Sequence, residues 1–155
     1  MKRILFLDID GVVNSEKWYV ETRGRKGNFD PEVIKLLNQL GELGVEVVVS
    51  SSWGEDGVKQ LQNVSLTLPI IGYTEHFHSN WICRGNEIEK WLSDNFGGMG
   101  TKYGTKWQDS SYNYVIMDDD EDMLLGQKDN FIKVNRETGL TDEDIEKCRR
   151  IFLEN

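Results

Sequence analysis

Short apolar runs alternate with stretches of helical periodicity along the chain. The apolar runs cover residues 3–7, 45–49, 68–71, 114–117 and 131–134. Helical spacing covers residues 31–43, residues 84–96 and the segment after 141, and a glycine-rich loop is predicted over residues 97–113. This alternation is typical of strand and helix units that stack into a mostly parallel sheet with helices on both faces. It predicts a three-layer α/β sandwich with a sheet of about five strands.

Residues that favour helix ends support two of these elements. Asp30 and Pro31 offer an N-cap and a first-turn proline for one helix, and Gly44 offers its stop. Thr141 and Asp144 have the spacing of a capping box at the start of the last helix. The polar, glycine-bearing stretch after the first strand has no such pattern and is predicted to be an irregular connection or a charged flap.

Length and composition limit the class of protein. A chain of 155 residues suffices for one domain that buries roughly 70% of its unfolded surface, so residues 1–155 are predicted to form a single domain. Two cysteines are too few for a disulfide framework, and no apolar stretch has the length of a membrane span or the form of a signal peptide. We therefore expect a cytoplasmic protein with no membrane partner. The oligomeric state stays open, with a monomer favoured.

The charge is strongly negative but unevenly distributed. A formal net charge of −9 weighs against a protein that coats nucleic acid through its overall field. Residues 116–155 carry 12 acids and 6 bases, whereas residues 1–29 carry 4 acids and 6 bases, which leaves room for a local basic groove. Five consecutive acids at 118–122 require solvent or a cation, and residues 120–122 are expected to begin a solvated helix.

Polar residues follow three of the apolar runs. In open parallel sheets ligands bind beyond the carboxyl ends of the strands, which makes these residues the candidates for chemistry. They are Asp8 and Asp10 after the first run, Ser50, Ser51 and Ser52 after the second, and Asp118 and Asp119 after the fourth. Two carboxylates about 4 Å apart repel by about 4 kcal/mol at an effective dielectric near 20, so gathering three or four of them is costly unless a divalent cation joins them. Oxygen ligands favour a hard ion, Mg²⁺ above all.

In their order and positions these motifs resemble those of the haloacid dehalogenase (HAD) superfamily of phosphotransferases. The matching segments are FLDIDGVVN at 6–14, VVVSSSW at 47–53, RGNEIEKWL at 84–92 and YVIMDDDEDM at 114–123. The resemblance implies a Rossmann-like, HAD-like fold of the minimal, capless kind with a short flap after the first strand.

The resemblance also implies residue roles. Asp8 would be the nucleophile that becomes an aspartyl phosphate, and Asp10 the general acid that protonates the leaving oxygen and then activates water. Mg²⁺ would be bound by Asp8, by the backbone carbonyl of Asp10 and by Asp118, with Asp119 as a further ligand or orienter. Residues two apart in an extended segment point to the same side, which suits a nucleophile beside an acid. An aspartate at the second position indicates a phosphatase or phosphotransferase rather than a dehalogenase.

Four residues are candidates for holding the phosphoryl group: Gly11, Ser50, Ser51 and Arg84. Alignment on the S-x-W pattern favours Ser51 as the second motif's hydroxyl, whereas counting from the end of the valine run favours Ser50, and both stay open. Arg84 opens a predicted helix, and its role would be to offset the charge of the transition state. Ser52 is a candidate cap for the next helix.

Short gaps between the motifs leave no room for a cap domain and predict an open site that admits the end of a polymer. Residues 17–26 carry a net charge of +3 beside the catalytic loop. Arg23, Arg25, Lys26 and Trp53 are possible substrate contacts, because basic residues with interleaved aromatics can follow a phosphate backbone. The same segment is also compatible with a charged flap whose aromatic side chains serve only to pack it.

The motif combination is similar to the small capless HAD domains of RNA-repair proteins and, more distantly, to the phosphatase domain of phage polynucleotide kinase-phosphatases. It implies a Mg²⁺-dependent phosphomonoester hydrolase whose partner is a phosphorylated substrate, a DNA or RNA end being the first expectation. A small-molecule phosphatase, acting on nucleotides or phosphosugars, is the enzymatic alternative.

A receiver-like phospho-aspartate signalling domain is the alternative from another class. That class needs its acceptor aspartate after the third strand and a lysine after the fifth, whereas Val134 leads here to Asn135 and Arg136. His76 and His78 could suggest a metal pair, but no cysteine or further histidine lies nearby at zinc spacing, so ordinary loop histidines are expected.

Overall fold

The computed structural model describes residues 1–23, 29–77, 81–96 and 111–154. In these ranges the strands are β1 (Lys2–Leu7), β2 (Val45–Val49), β3 (Ile70–Tyr73), β4 (Tyr112–Asp118) and β5 (Phe131–Lys133). The α-helices are α1 (Glu16–Glu21), α2 (Pro31–Asn38), α3 (Gly54–Gln62), α4 (Arg84–Phe96) and α5 (Asp142–Glu154). Two 3₁₀ helices cover Gln39–Leu43 and Leu125–Asn130. Within these ranges no helix combines the length and the apolarity that a membrane crossing requires.

All five strands are parallel and lie in the order β3-β2-β1-β4-β5. In the register of the sheet, Leu7 lies opposite both Val49 and Met117, so β1, β2 and β4 end together at one edge. The chain adds strands on one side of β1 and then crosses to the other side, which places a topological switch point between β1 and β4. Receiver-type domains have the order 2-1-3-4-5 instead, so the strand order weighs against that alternative.

Apolar side chains cover both faces of the sheet. On one face α2, α3 and α5 bury their apolar stripes against alternate residues of the strands, among them Leu5 and Leu7. On the other face α4 packs Ile88 and Leu92 against a cluster that includes Phe6. The three-layer α/β arrangement confirms the predicted fold class.

The helix ends follow the predicted residues. The Asp30 carboxylate accepts a hydrogen bond from the Glu32 backbone N–H at 2.9 Å, and Gly44 ends the Gln39–Leu43 helix with a φ of +67°. Asp144 Oδ2 accepts hydrogen bonds from the backbone N–H (3.0 Å) and the hydroxyl (2.8 Å) of Thr141, which forms the Asp144 half of the predicted capping box. Local chemistry therefore sets these boundaries.

Helix α1 was not predicted, since an irregular connection was expected there. Ser15 caps the helix by accepting a hydrogen bond from the Trp18 N–H at 3.1 Å. The Glu16 N–H donates to the distant Arg136 carbonyl at 2.9 Å. Six residues are too few to show a helical period, so the segment depends on this contact across the chain.

Other element boundaries in the structure differ from the predicted ones. Strand β3 begins two residues later than predicted, because Pro69 has no N–H to donate and only offers its carbonyl to Val47. The N-cap of α3 is Trp53 rather than Ser52. Residues 120–122 do not begin a helix, and the next helical turn starts only at Leu125. Of the predicted loop, residues 112 and 113 belong to β4 and residues 97–110 lie outside the described ranges.

Candidate active site

A tight turn follows β1 and carries the first motif. The Ile9 carbonyl accepts hydrogen bonds from the backbone N–H groups of Val12, Val13 and Asn14 at 3.1, 2.9 and 3.2 Å. Gly11 has a φ of +79°, and a Cβ at this position would lie 2.4 Å from Asp119 Oδ2. Gly11 therefore permits the close approach of the turn to Asp119, which is a role that the sequence did not suggest.

Three carboxylates meet at the carboxyl edge of β1 and β4. Asp8, Asp118 and Asp119 each place an oxygen within 4.8 Å of the others. The sheet brings Asp8 and Asp118 together, since the Asp8 N–H continues the parallel ladder by donating to the Met117 carbonyl at 3.0 Å. Asp8 and Asp118 are buried, and Asp119 is partly buried.

Burial and mutual repulsion shift the titration of this cluster. Loss of water raises the pKa of Asp8 well above its ordinary value, and the charge of Asp118 raises it further, while Arg84 opposes the shift. Loss of water also raises the pKa of Asp118 to about 7, against a hydrogen bond from the Asp120 N–H and the nearby charge of Arg84. The positive charge of Arg84 is therefore too little to offset the negative charge of these carboxylates.

The donor set fits a hard divalent cation. All donors are carboxylate oxygens, and buried Asp118 Oδ2 has no hydrogen-bond partner within the described part of the chain. Arg84 Nε lies 3.6 Å from this oxygen, close enough for charge attraction but too far for a hydrogen bond. The cluster could therefore hold a metal ion.

Asp10 lies next to the cluster in a different environment. Its carboxylate is exposed, and Oδ2 accepts a hydrogen bond from the Trp53 indole Nε1 at 2.8 Å. The Trp53 ring lies 6.0 Å from the Phe29 ring, centroid to centroid, which fixes the donor. Trp53 was predicted as a substrate contact, and the structure shows its indole bonded to one carboxylate oxygen of Asp10.

The two candidate hydroxyls are both buried but differ in their partners. Ser51 Oγ accepts a hydrogen bond from the Trp53 backbone N–H at 3.3 Å. Ser50 Oγ has no hydrogen-bond partner among the described residues, and its backbone N–H donates to the Leu7 carbonyl beside Asp8 at 2.8 Å. The geometry favours Ser50 as the hydroxyl that is open to a phosphoryl group.

Arg84 is held at the start of α4 by two acids. Its Nη1 donates to Glu87 Oε2 at 3.1 Å, and its backbone N–H donates to Asp122 Oδ2 at 3.0 Å. Buried Glu87 also accepts a hydrogen bond from the Phe77 N–H at 2.9 Å and lies 3.0 Å from His76 Nδ1. Sequence reasoning missed Glu87, although its spacing of three residues from Arg84 on a predicted helix was a signal.

A second arginine contacts the cluster. Arg136 Nε lies 3.1 Å from Asp119 Oδ2, and Arg136 and Lys133 line an open groove beside it. Arg136 follows the last strand, and sequence reasoning used it only to argue against a receiver domain. Its ion pair with Asp119 depends on the neighbouring positions of β4 and β5, which no local pattern reveals.

The remaining predicted residues have different outcomes. Arg23 is exposed after the end of α1 with a φ of +58°. Arg25, Lys26 and His78 lie outside the described residues. His76 pairs with Glu87, and within the described ranges the candidate metal cluster contains no histidine.

An acidic cluster at the switch point of a 3-2-1-4-5 sheet defines the class as an α/β domain with its candidate ligand site at the carboxyl edge of the sheet. The family model for the HAD domain in Swiss Army Knife RNA repair proteins matches residues 4–145. The chain therefore belongs to this family, which indicates a hydrolase of the phosphatase type. Comparison with curated proteins and with solved structures gave no match.

Proposed function

We propose that this chain is a Mg²⁺-dependent phosphomonoester hydrolase that works through an aspartyl phosphate on Asp8. The observation that carries the proposal is the pairing of a buried acidic cluster around Asp8 with an exposed Asp10 two residues away. One carboxylate is placed among like charges and the other faces solvent, which are different environments for a nucleophile and a proton carrier.

In the first step an Asp8 carboxylate oxygen attacks phosphorus, and the bond between phosphorus and the leaving oxygen breaks. Asp10 gives its proton to that oxygen, which departs as an alcohol. The hydrogen bond from Trp53 holds Asp10 for this transfer. Ser50 and Arg84 offer donors to the phosphoryl oxygens as their charge changes.

In the second step a water molecule attacks phosphorus, and the bond between phosphorus and Asp8 breaks. Asp10 takes the proton of this water, so that inorganic phosphate leaves and both aspartates return to their starting forms. Because Asp10 donates and then accepts one proton, its exposure to solvent suits both steps.

Asp8, Asp118 and Asp119 would hold Mg²⁺, with the Asp10 carbonyl as a further ligand. When bound, the ion would offset the charge of these carboxylates and of the phosphate. The donors are oxygens, as Mg²⁺ prefers, and Asp118 Oδ2 is buried with no hydrogen-bond partner in the described part of the chain. Arg136 would keep Asp119 oriented.

Metal binding is expected to change how stability depends on pH. Because the pKa of Asp118 is raised to about 7 in the folded protein, protonation of Asp118 stabilises the metal-free fold at low pH. This stabilisation is lost as the pH rises through 7. In EDTA the melting temperature should fall between pH 5 and pH 8, and saturating Mg²⁺ should raise it by about 5 °C or more at pH 8. Differential scanning calorimetry measures both effects.

Asp118→Asn provides the control for this measurement, since it removes the titrating carboxylate but keeps its shape. Its melting temperature should depend less on pH and should respond weakly to Mg²⁺. A wild-type protein whose stability is indifferent to millimolar Mg²⁺ at pH 8 would argue against the metal site.

The substrate that we propose is a terminal phosphate on a nucleic acid. Family membership supports it, since the family is named for RNA repair proteins. The short spacing between motifs also supports it, since a site without a cap can admit a polymer end. The basic segment 17–26 supports it too, since it carries a net charge of +3 and follows the first motif closely in the sequence.

A substrate panel tests this assignment. Phosphate release should require Mg²⁺ and be abolished by EDTA, and kcat/KM should be highest for oligonucleotides with a 3′ or 5′ phosphate. The other members are an aryl phosphate, nucleoside monophosphates and phosphosugars. Turnover of small phosphates alone would replace the nucleic-acid assignment with a small-molecule phosphatase and leave the chemistry in place.

The double substitution of Arg23 and Arg25 by alanine separates substrate binding from chemistry. It should raise KM for oligonucleotides several-fold and leave KM for the aryl phosphate unchanged, because an aryl phosphate has no backbone for the basic segment to contact. The oligonucleotide effect should weaken as salt is raised. Equal effects on both substrates would mean that the segment is only part of the fold.

A further inference from the structure

Four side chains form one row across the carboxyl edge of the sheet. The row consists of Thr74, Ser50, Asp8 and Asp118, which follow or end β3, β2, β1 and β4 in that spatial order. Backbone hydrogen bonds continue the ladder through it, since the Thr74 N–H donates to the Val49 carbonyl at 2.9 Å, as the Ser50 N–H does to Leu7. These residues are therefore neighbours in register.

The row faces α4, the helix that begins with Arg84. Side chains alternate between the faces of a strand, so Thr74 shares a face with Gly72. A Cβ on Gly72 would lie 3.4 Å from the Trp91 ring of α4. Val48, two residues before Ser50, packs in the cluster beneath the same helix. Thr74 and Ser50 thus belong to the side of the sheet where the Asp118–Arg84 contact lies.

Burial of the Thr74 hydroxyl lowers the stability of the fold. Its side chain is 0% exposed, and its hydroxyl has no hydrogen-bond partner among the residues that the structure describes. A buried hydroxyl without a partner lowers stability, and a valine of the same shape would avoid that loss. Ser50, beside it in the row, has the same property. Two neighbouring buried hydroxyls without partners, one of them beside the proposed nucleophile, lower stability at a place where function is expected.

We infer that Thr74 is a positioning residue that acts through Ser50, an inference that rests on the proposed function. With a phosphoryl group at Asp8, the Thr74 hydroxyl donates to Ser50 Oγ, and the Ser50 hydroxyl donates to a phosphoryl oxygen. Adjacent strands lie about 4.8 Å apart, so Ser50 is next to Asp8 and Thr74 is one strand further away. Each hydrogen bond in such a chain polarises the next, so Thr74 strengthens the donor that touches the substrate.

The test replaces Thr74 with valine, which removes the hydroxyl and keeps the shape. The kcat/KM for an aryl phosphate should fall about tenfold, while the melting temperature stays the same or rises. Thr74→Ser keeps the hydroxyl and should retain most of the activity. A purely structural Thr74 predicts the reverse for valine, namely full activity.

A double-mutant cycle with Ser50→Ala tests the coupling. In the Ser50→Ala background, Thr74→Val should have no further effect, because the chain is already broken. Independent, multiplicative losses would overturn the inference, and so would full activity of the single Thr74→Val variant.

Binding of orthovanadate, measured by calorimetry in the presence of Mg²⁺, separates this inference from the proposed function. A wild-type protein that binds vanadate but releases no phosphate would overturn the proposed activity. Thr74→Val should then still weaken vanadate binding about tenfold. Unchanged affinity in Thr74→Val would overturn the role of Thr74.

Discussion

Replacing Asp8 with asparagine is expected to lower phosphate release by at least about 10³-fold, because an amide cannot serve as the nucleophile that forms the covalent intermediate. The loss should be the same for an aryl phosphate and for a phosphorylated oligonucleotide, since both reactions pass through the same bond to Asp8. Steady-state phosphate release measures it. A trapped phospho-enzyme, detected by mass after acid quenching, should be present in the wild type and absent from the variant.

The fold should survive this substitution. The pKa of Asp8 is raised by burial and by the charge of Asp118, so removing its carboxylate relieves repulsion in the metal-free protein. The melting temperature in EDTA at pH 8 should therefore rise. Asp120→Asn is the matched control, since its side chain lies in the same acidic run but outside the three-carboxylate cluster. Wild-type turnover by Asp8→Asn would remove the covalent mechanism.

The residues at strand ends were predictable because parallel strands end at one edge whatever the details of packing. Asp8, Ser50 and Asp118 each follow or end an apolar run, and the observed sheet brings their three strands side by side. The choice between Ser50 and Ser51 was not predictable. It depends on which hydroxyl the Trp53 backbone uses, a contact that appears only once the turn is formed.

Thr74 was missed for a specific physical reason. The apolar run at 68–71 placed the third strand two residues too early, because Leu68 and Pro69 look like strand residues but precede the ladder. Thr74 therefore did not directly follow the predicted strand, although it directly follows the observed one. An error of two residues in a boundary is small for the fold and decisive for the site.

Local sequence patterns also could not predict the contacts between distant segments. Asp10 and Trp53 are 43 residues apart, and their hydrogen bond requires both the turn after β1 and the start of α3. The same holds for Arg136, which meets Asp119 across neighbouring strands and also accepts a hydrogen bond from α1. Such pairs follow from strand order rather than from the sequence around either residue.

Asp10→Asn should affect substrates according to their leaving groups. For an oligonucleotide phosphate the leaving alcohol needs a proton, so the rate of the first step should fall about 10²–10⁴-fold. An acidic phenol leaves without protonation, so the first step with a nitrophenyl phosphate should be nearly intact. The second step still needs Asp10 to accept a proton from water. Stopped-flow measurement should therefore show a burst of about one phenolate per active site, followed by slow turnover.

The burst distinguishes a proton carrier from a structural residue. If Asp10 only shaped the turn after β1, its substitution would slow the reactions of both substrates by the same factor, and no burst would appear. Trp53→Phe is the control, since it keeps the Asp10 carboxylate but removes the indole N–H that holds it. That variant should slow both steps modestly without a burst, because the proton carrier is present but less well oriented. A burst with Asp10→Asn and none with Trp53→Phe would assign the proton to Asp10 and its orientation to Trp53.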